Sequence, residues 1–328
     1  MKALYYTGTQ EMEIRETDRP EPAPDQTVIR VAFSGICGSD MHAWHGHDPR
    51  RVPPLILGHE AVGIAENGPF AGKRVAINPL TVCGSCDACS VGREHLCPDR
   101  ALIGLKVPGA YAEHVAVTTA NLTVLPDLLT DEQAVLAEPL AVCVHAVRLG
   151  DKRHGSASKS DKVVVLGGGA IGLLAARVYA HRGVGELWVA EPNPVRRVVL
   201  ERVLDCEIYD PARSGPPGAS VDIVFDAVGS GRTRAAASAL VRPGGTIVHT
   251  GLQDSLEGLD TRLITLQEVT FVGTYCYVPD DFSAALELLR DGHVMRDGWT
   301  EIRPLDAGPQ SFQDIHDGRA PPKIILAC

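Results

Sequence analysis

The stretch NPLTVCGSCDACSVGREHLCPDR carries Cys83, Cys86, Cys89 and Cys97 in the spacing C-x2-C-x2-C-x7-C. Thiolates this close repel one another unless a cation lies among them. A zinc ion takes four sulfurs in a tetrahedron and neutralises the cluster. Such a site is closed, so the ion would staple a lobe of about residues 80–100 and do no chemistry. Iron–sulfur ligation and four incidental thiols are the competing readings. A disulfide framework is disfavoured for the nine cysteines of a chain expected in the reducing cytoplasm.

A reacting metal needs other donors. GICGSDMH holds Cys37, Ser39, Asp40 and His42, LGHEAVG holds His59 and Glu60, and AEPLAV holds Glu138. Zinc accepts thiolate, imidazole and carboxylate together. Cys37, His59 and one carboxylate would leave a position open for a substrate oxygen. Taken singly, each has an ordinary reading: a core thiol, a turn histidine, an acid ahead of a proline. Nothing in their periodicity draws such distant residues together. His45 and His47 in MHAWHGHDPRR could form a further metal site, and Arg50 and Arg51 could meet a phosphate or carboxylate. A solvated loop is the favoured reading of both. Cys143, Cys206, Cys276 and Cys328 read as ordinary reduced thiols.

A second chemistry is phosphate binding. After KVVVL comes Gly167-Gly168-Gly169-Ala170-Ile171-Gly172, which fits G-x-G-x-x-G between a strand and a helix. Gly167 permits the tight turn, Gly169 lets backbone approach a pyrophosphate, and Gly172 lets helix pack on strand. The helix N-terminus around Ile171 offers amide donors to the phosphates. Glu191 ends the next strand, where a carboxylate can accept from ribose hydroxyls and repel a 2′-phosphate. NAD is therefore expected over NADP. A helix-start acid is the alternative reading of Glu191, because Asn193 and Pro194 follow. Arg196 could flank the adenine or lie on a solvated helix face.

These residues need elements to hold them. KALYY, MEIRE, TVIRVAF and KRVAINP read as strands of an irregular β-rich domain. Thr130 and Gln133 form a capping-box signature. AVCVHAVRL reads as a helix ending at Gly150, followed by a loop from Asp151 to Asp161. Strands and helices then alternate. KVVVL, ELWVAE, VDIVFDAVG, TIVHTGL and VTFVGTY are strands; AIGLLAARVYAH, PVRRVVLERV and RTRAAASAL are helices. This is a doubly wound parallel α/β domain. A helix, DFSAALELLRDG, and a last strand, KIILA, close the chain, which is expected to return to the first domain.

Length and composition agree. The 328 residues suggest two domains. A net charge of −10 argues against a nucleic-acid or anionic-membrane partner. The opening MKALYYTGTQEMEIRE lacks the apolar core of a signal peptide, and the longest apolar run is too short to span a bilayer. A cytoplasmic location, a small-molecule partner and a homo-oligomer (dimer or tetramer) are expected.

The joint order of GICGSDMH, LGHEAVG, the four-cysteine lobe, AEPLAVCVHAV and VLGGGAIG resembles the zinc-dependent alcohol and polyol dehydrogenases of the medium-chain dehydrogenase/reductase superfamily. The likeness runs nearly end to end and is strongest to the sorbitol, threonine and galactitol-phosphate branch. It implies a GroES-like catalytic domain (1–138 and 277–328) split around a Rossmann NAD-binding domain (139–276), with the active site in the cleft. It implies two zinc ions per chain. Cys37, His59 and Glu60 would hold the catalytic zinc, with Glu138 a ligand or the partner of its water. Ser39 would take the alcohol proton and His42 relay it. Cys83, Cys86, Cys89 and Cys97 would hold the structural zinc. The implied reaction is hydride transfer between NAD and a secondary alcohol: a polyol, cyclitol, sugar alcohol or amino alcohol. The sorbitol enzymes carry an arginine where Cys276 stands, so sorbitol is not taken as the substrate. The segment between Gly63 and Val75 is also shorter than in the family. A carbonyl reductase of the same family is the alternative. A non-catalytic NAD sensor would be expected to lose ligands and relay residues, and all are present here.

Overall fold

The computed structural model describes residues 1–154, 157–254, 256–294 and 298–328, with backbone alone at 152–154. They form two compact units. One comprises Met1–Glu138, Leu289–Asp291 and Thr300–Cys328, the other Pro139–Leu288 and Gly292–Trp299.

In the first unit, the alternation of TVIRVAF produces the strand Gln26–Gly35. It pairs antiparallel with Glu60–Ala65, His114–Thr118 and Lys323–Ala327 inside a seven-stranded sheet. The last strand of the chain therefore does return to the first unit. Ile29, Val31, Ala61, Val75 and Val115 bury one face of this sheet. The register sets Gly35 opposite both Glu60 and Ile325. That pairing, between residues far apart in sequence, brings Glu60 beside the end of the chain.

The four-cysteine lobe is built differently. It has a two-residue ladder of Leu80–Thr81 with Ala101–Leu102 and the short helix Asp87–Ser90. Between Thr81 and Arg100 only His95 and Cys97 are buried. With so little buried apolar surface, the lobe relies on its thiols to hold it in shape.

The second unit is a six-stranded parallel sheet. Its order is Glu207–Tyr209, Glu186–Ala190, Lys162–Leu166, Val221–Asp226, Val241–His249 and Thr270–Gly273. This is the doubly wound order, with ligands expected at the C-terminal ends of the strands. The helices Ala170–His181, Pro194–Val203 and Gly231–Leu240 connect them. Asn193 caps the second, its side chain accepting from the amides of Val195 and Arg196.

Two boundaries differ from the sequence reading. The helix expected to stop at Gly150 runs from Ala137 to His154. Gly150 is no cap. A Cβ there would come within 2.8 Å of Val248, so glycine serves close packing on the strand Val241–His249, and the helix continues. The expected loop thus begins beyond His154, with residues 155 and 156 outside the described set. Residues 277–288, assigned by resemblance to the first domain, cluster with the second unit. There, Asp281 of the helix Pro279–Arg290 binds His145 and Arg148 of the helix Ala137–His154.

Candidate functional site

Cys37 ends the turn after the strand Gln26–Gly35 and is the N-cap of the short helix Gly38–Trp44. Its sulfur accepts from the Ser39 amide at 3.5 Å, and its own amide donates to Asp40 Oδ2 at 3.3 Å. The capping box that starts the helix therefore also aims the thiol. Ser39 and His42 lie three residues apart and so share a helix face. The Ser39 hydroxyl donates to Cys37 Sγ at 3.4 Å. Burial, then His47, His45 and Arg51, hold His42 below the usual imidazole range.

Cys37, His59 and Glu60 each offer a ligand atom, and the three atoms lie within 4.8 Å of one another. His59 is buried, and its Nδ1 has no hydrogen-bond partner among the described residues, with Asp40 Oδ1 3.6 Å away. Asp40 is fixed in turn by the Tyr111 hydroxyl, which donates to Oδ2 at 2.6 Å. Glu60 is buried against Lys323, whose Nζ forms a close ion pair with Oε2 and donates to the Ile36 carbonyl at 2.9 Å. A Cβ on Gly35 would fall 2.2 Å from that same Oε2, so only glycine leaves room for the pair. Glu138, buried at the start of its helix, does not join the group at ligand distance. It still feels His59, Glu60 and Cys37 electrostatically.

The charges here are crowded. Burial, then Glu60 and Asp40, push the Cys37 thiol up to about 11. Burial, with Glu60 and Cys37, pushes Glu138 up to about 8 against the opposing pull of His59. One lysine cannot balance a thiolate and two carboxylates. The mixed sulfur, nitrogen and oxygen donors suit zinc, and three close ligands leave room for a substrate oxygen. This donor set fits a catalytic zinc.

The sulfurs of Cys83, Cys86, Cys89 and Cys97 also lie within 4.8 Å of one another, with Cys86–Cys89 and Cys97–Cys83 at 3.5 Å. Zinc–sulfur bonds of about 2.3 Å place tetrahedral sulfurs about 3.8 Å apart. The cluster fits a structural zinc with no open position.

In the second unit, Gly167 takes φ +96° at the tight turn, and a Cβ on Gly172 would strike the Gly167 carbonyl at 1.7 Å. Around Gly169 a Cβ would meet nothing within 4 Å. That open space, at the N-terminus of the helix carrying Ile171, is where a diphosphate can approach the amides. Glu191 is buried; its Oε2 accepts from the Gly168 amide at 2.8 Å and its Oε1 from the Asn193 amide at 2.8 Å. The helix-start reading of Glu191 is thus seen in its bond from Asn193, and the same carboxylate braces the glycine turn. Arg197 donates to the Glu191 and Pro192 carbonyls at 2.7 Å. Arg196 is half-buried, and its Nε has no partner among the described residues.

The comparisons with known proteins match this picture. A family model described as alcohol dehydrogenase GroES-like domain matches residues 23–127, and one described as zinc-binding dehydrogenase matches residues 170–291. The chain is 31% identical over 329 residues to D-arabitol-phosphate dehydrogenase of Enterococcus avium, covering 95% of this chain and 92% of the relative. The chain belongs to the zinc-binding dehydrogenases. It is likewise 31% identical over 313 residues to L-galactonate-5-dehydrogenase of Escherichia coli (strain K12), covering 90% and 89%. Among solved structures, a zinc-binding dehydrogenase of Sinorhizobium meliloti 1021 bound to NADP superposes with a TM-score of 0.86 at 28% identity, covering 100% of this chain and 99% of that one. This zinc-binding dehydrogenase is an enzyme of the polyol branch, a zinc- and nicotinamide-dependent alcohol oxidoreductase. Among the described residues no helix is long and apolar enough to cross a membrane.

Several residues escaped the sequence reading. Lys323 and Tyr111 gave no local signal, because tertiary pairing alone makes them neighbours of the site. Asp40 was named within GICGSDMH, but its place as the N3 acid of the capping box at Cys37 is a finding of the structure. Arg51 is no solvated loop residue: it is 4% exposed and bonded to Ser39, Asp48 and Gly104. Trp44 and Tyr277 are both buried, Trp44 in the apolar core and Tyr277 stacked on Phe282. His45 bonds His316 at 3.0 Å and stacks on His47, and no third donor completes a metal set there among the described residues.

Proposed function

We propose that the chain oxidises a polar secondary alcohol with a neighbouring oxygen or nitrogen, and that it uses NAD in preference to NADP. The observation that carries this reading is the carboxylate-bearing metal group of Cys37, His59 and Glu60, with Glu138 beside it. Cys37, His59 and Glu60 would hold the zinc, and a donor set that includes carboxylates would suit a substrate offering two adjacent heteroatoms. Zinc supplies the acidification of the alcohol and the nicotinamide supplies the hydride acceptor. The chain does the rest. Ser39 takes the alcohol proton, and His42, held neutral by its lowered pKa, receives it and passes it to solvent. Glu191 opposes a 2′-phosphate, which is the argument for NAD although one solved relative carries NADP. The named relatives act on a polyol phosphate and a sugar acid, so phosphorylated polyols and aldonates belong in the substrate class.

The test is a screen with NAD⁺ of vicinal polyols, polyol phosphates, aldonates, cyclitols and amino alcohols against ethanol, propan-2-ol and cyclohexanol. A site built to bond several hydroxyls rejects an analogue lacking them by roughly 10⁴-fold. Simple alcohols that match every polar substrate in kcat/KM overturn the reading. Self-association, as a dimer or tetramer, completes the proposal. The strand Thr270–Gly273 is an open sheet edge, and Leu252, Leu256 and Leu266 stand exposed in the same unit. Light scattering that gives a monomer counts against it. A reducing cytoplasmic compartment suits a chain whose thiols gather in two candidate metal groups.

A further inference from the structure

Arg51 is buried beside the proton-relay serine, and every nitrogen of its guanidinium is engaged. Nε donates to the Gly104 carbonyl at 3.1 Å. Nη1 donates to Asp48 Oδ2 at 2.6 Å and to the Ser39 carbonyl at 3.2 Å. Nη2 donates to the Ser39 hydroxyl oxygen at 3.1 Å and lies 3.5 Å from Asp40 Oδ1. Asp48, itself buried, is braced by Arg50, whose Nε and Nη2 donate to it at 2.8 and 2.9 Å.

A hydroxyl has one hydrogen and two lone pairs. In Ser39 the hydrogen points at Cys37 Sγ and Arg51 fills one lone pair. One lone pair remains, on an oxygen whose rotation is blocked from two sides. We propose that Arg51 is a positioning residue for the reaction: it fixes the Ser39 hydroxyl so that its one free lone pair faces the alcohol proton. The guanidinium offers donors and no acceptor, so Arg51 cannot take the alcohol proton itself. It therefore acts only through Ser39. Lysine would keep the charge but lose the planar fork that grips the Ser39 hydroxyl, the Ser39 carbonyl and Asp48 together. The inference rests on the proton-taking role of Ser39 proposed above.

The experiment is a double-mutant cycle on the zinc-loaded enzyme: wild type, R51K, S39A and S39A/R51K. The best polyol from the screen and NAD⁺ are the reactants. The single-turnover rate of cofactor reduction, its solvent isotope effect, KM, zinc content and melting temperature are measured. R51K is expected to slow the single turnover by about 10–100-fold, the cost of a misplaced catalytic group. KM should move by less than about 3-fold, with zinc content and melting near wild type and a larger solvent isotope effect. In the S39A background the same change should alter the rate by less than about 3-fold, because the residue it acts through is gone. An equal loss in both backgrounds, or no loss in either, overturns the inference and leaves the Ser39 role standing. S39A turning over as fast as wild type overturns both. If R51K does not fold, D48N enters the same cycle, since it keeps Arg51 and weakens its 2.6 Å contact. A smaller loss that vanishes with S39A supports the inference, and an equal loss in both backgrounds sinks it.

Discussion

Cys37 and Cys89 are both metal-site thiols, yet their replacement should do different things. Cys37 belongs to a group of three close donors with room for substrate; Cys89 belongs to a closed set of four sulfurs. Cys37→Ser should cost at least about 10³-fold in kcat and leave melting nearly unchanged. Cys89→Ser should lower the melting temperature by about 5 °C or more or abolish assembly, because its lobe has little core to fall back on. Metal analysis should give two zinc ions per wild-type chain; fully active protein with one or none refutes the pairing. Glu191 carries a second residue-scale prediction. Wild type should favour NAD over NADP in kcat/KM, and Glu191→Gln should narrow that ratio by about tenfold, since a neutral amide no longer repels a phosphate. A wild-type preference for NADP would show that the unpartnered Arg196 Nε, and not Glu191, sets the choice.

In the second unit one carboxylate clasps two helices. Asp281 of the helix Pro279–Arg290 accepts from Arg148 Nε at 2.8 Å and Nη2 at 2.9 Å, and meets His145 Nδ1 at 2.7 Å. Burial alone would raise its pKa, but the bonds from His145 and Arg148 outweigh it and hold the carboxyl well below the usual range. A depressed pKa gives stability that is complete above the unfolded value of about 3.9 and is lost as pH falls further. Asp281→Asn should therefore destabilise by about 2–4 kcal/mol at pH 7, and its deficit in melting temperature should shrink below about pH 4. A deficit that stays constant across that range points to a packing defect instead. The same clasp explains why residues 277–288 cluster with the second unit, where sequence likeness placed a boundary. Among the elements, the long alternating strands and amphipathic helices were legible. The helix Gly308–His316 and the strands Glu207–Tyr209 and Thr300–Pro304 went unread; the two strands are too short to carry a clear period.

At the scale of the whole molecule, the two metal sites should separate in time. A closed four-thiolate site gives a chelator no open position to attack, whereas the mixed site exposes one. Brief chelation should thus remove activity first, with melting unchanged and activity restored by added zinc. Longer chelation should then lower the melting temperature as the thiolate lobe loses its ion. Activity and melting that fall in step at every time point would contradict two sites of unequal role. Net charge belongs to this scale too: at −10 the chain offers no long-range attraction to anionic small molecules.

The sequence by itself determined what depends on local spacing. The four cysteines lie within one short loop, so their spacing alone brings them to a single ion. The glycine turn, the capping box at Thr130, and the parallel α/β alternation are likewise written in neighbouring residues. Tertiary structure decided what depends on strands meeting. Glu60 sits against Lys323 only because the strand Lys323–Ala327 returns to pair with Gln26–Gly35, and Gly35 has no side chain to keep them apart. Arg51 reached Ser39, and Tyr111 reached Asp40, by the same packing of distant segments. Sequence periodicity reports which face of an element is buried, but not which buried side chains share a pocket. That choice is made when sheet register and core packing bring segments far apart in the chain within a few ångströms.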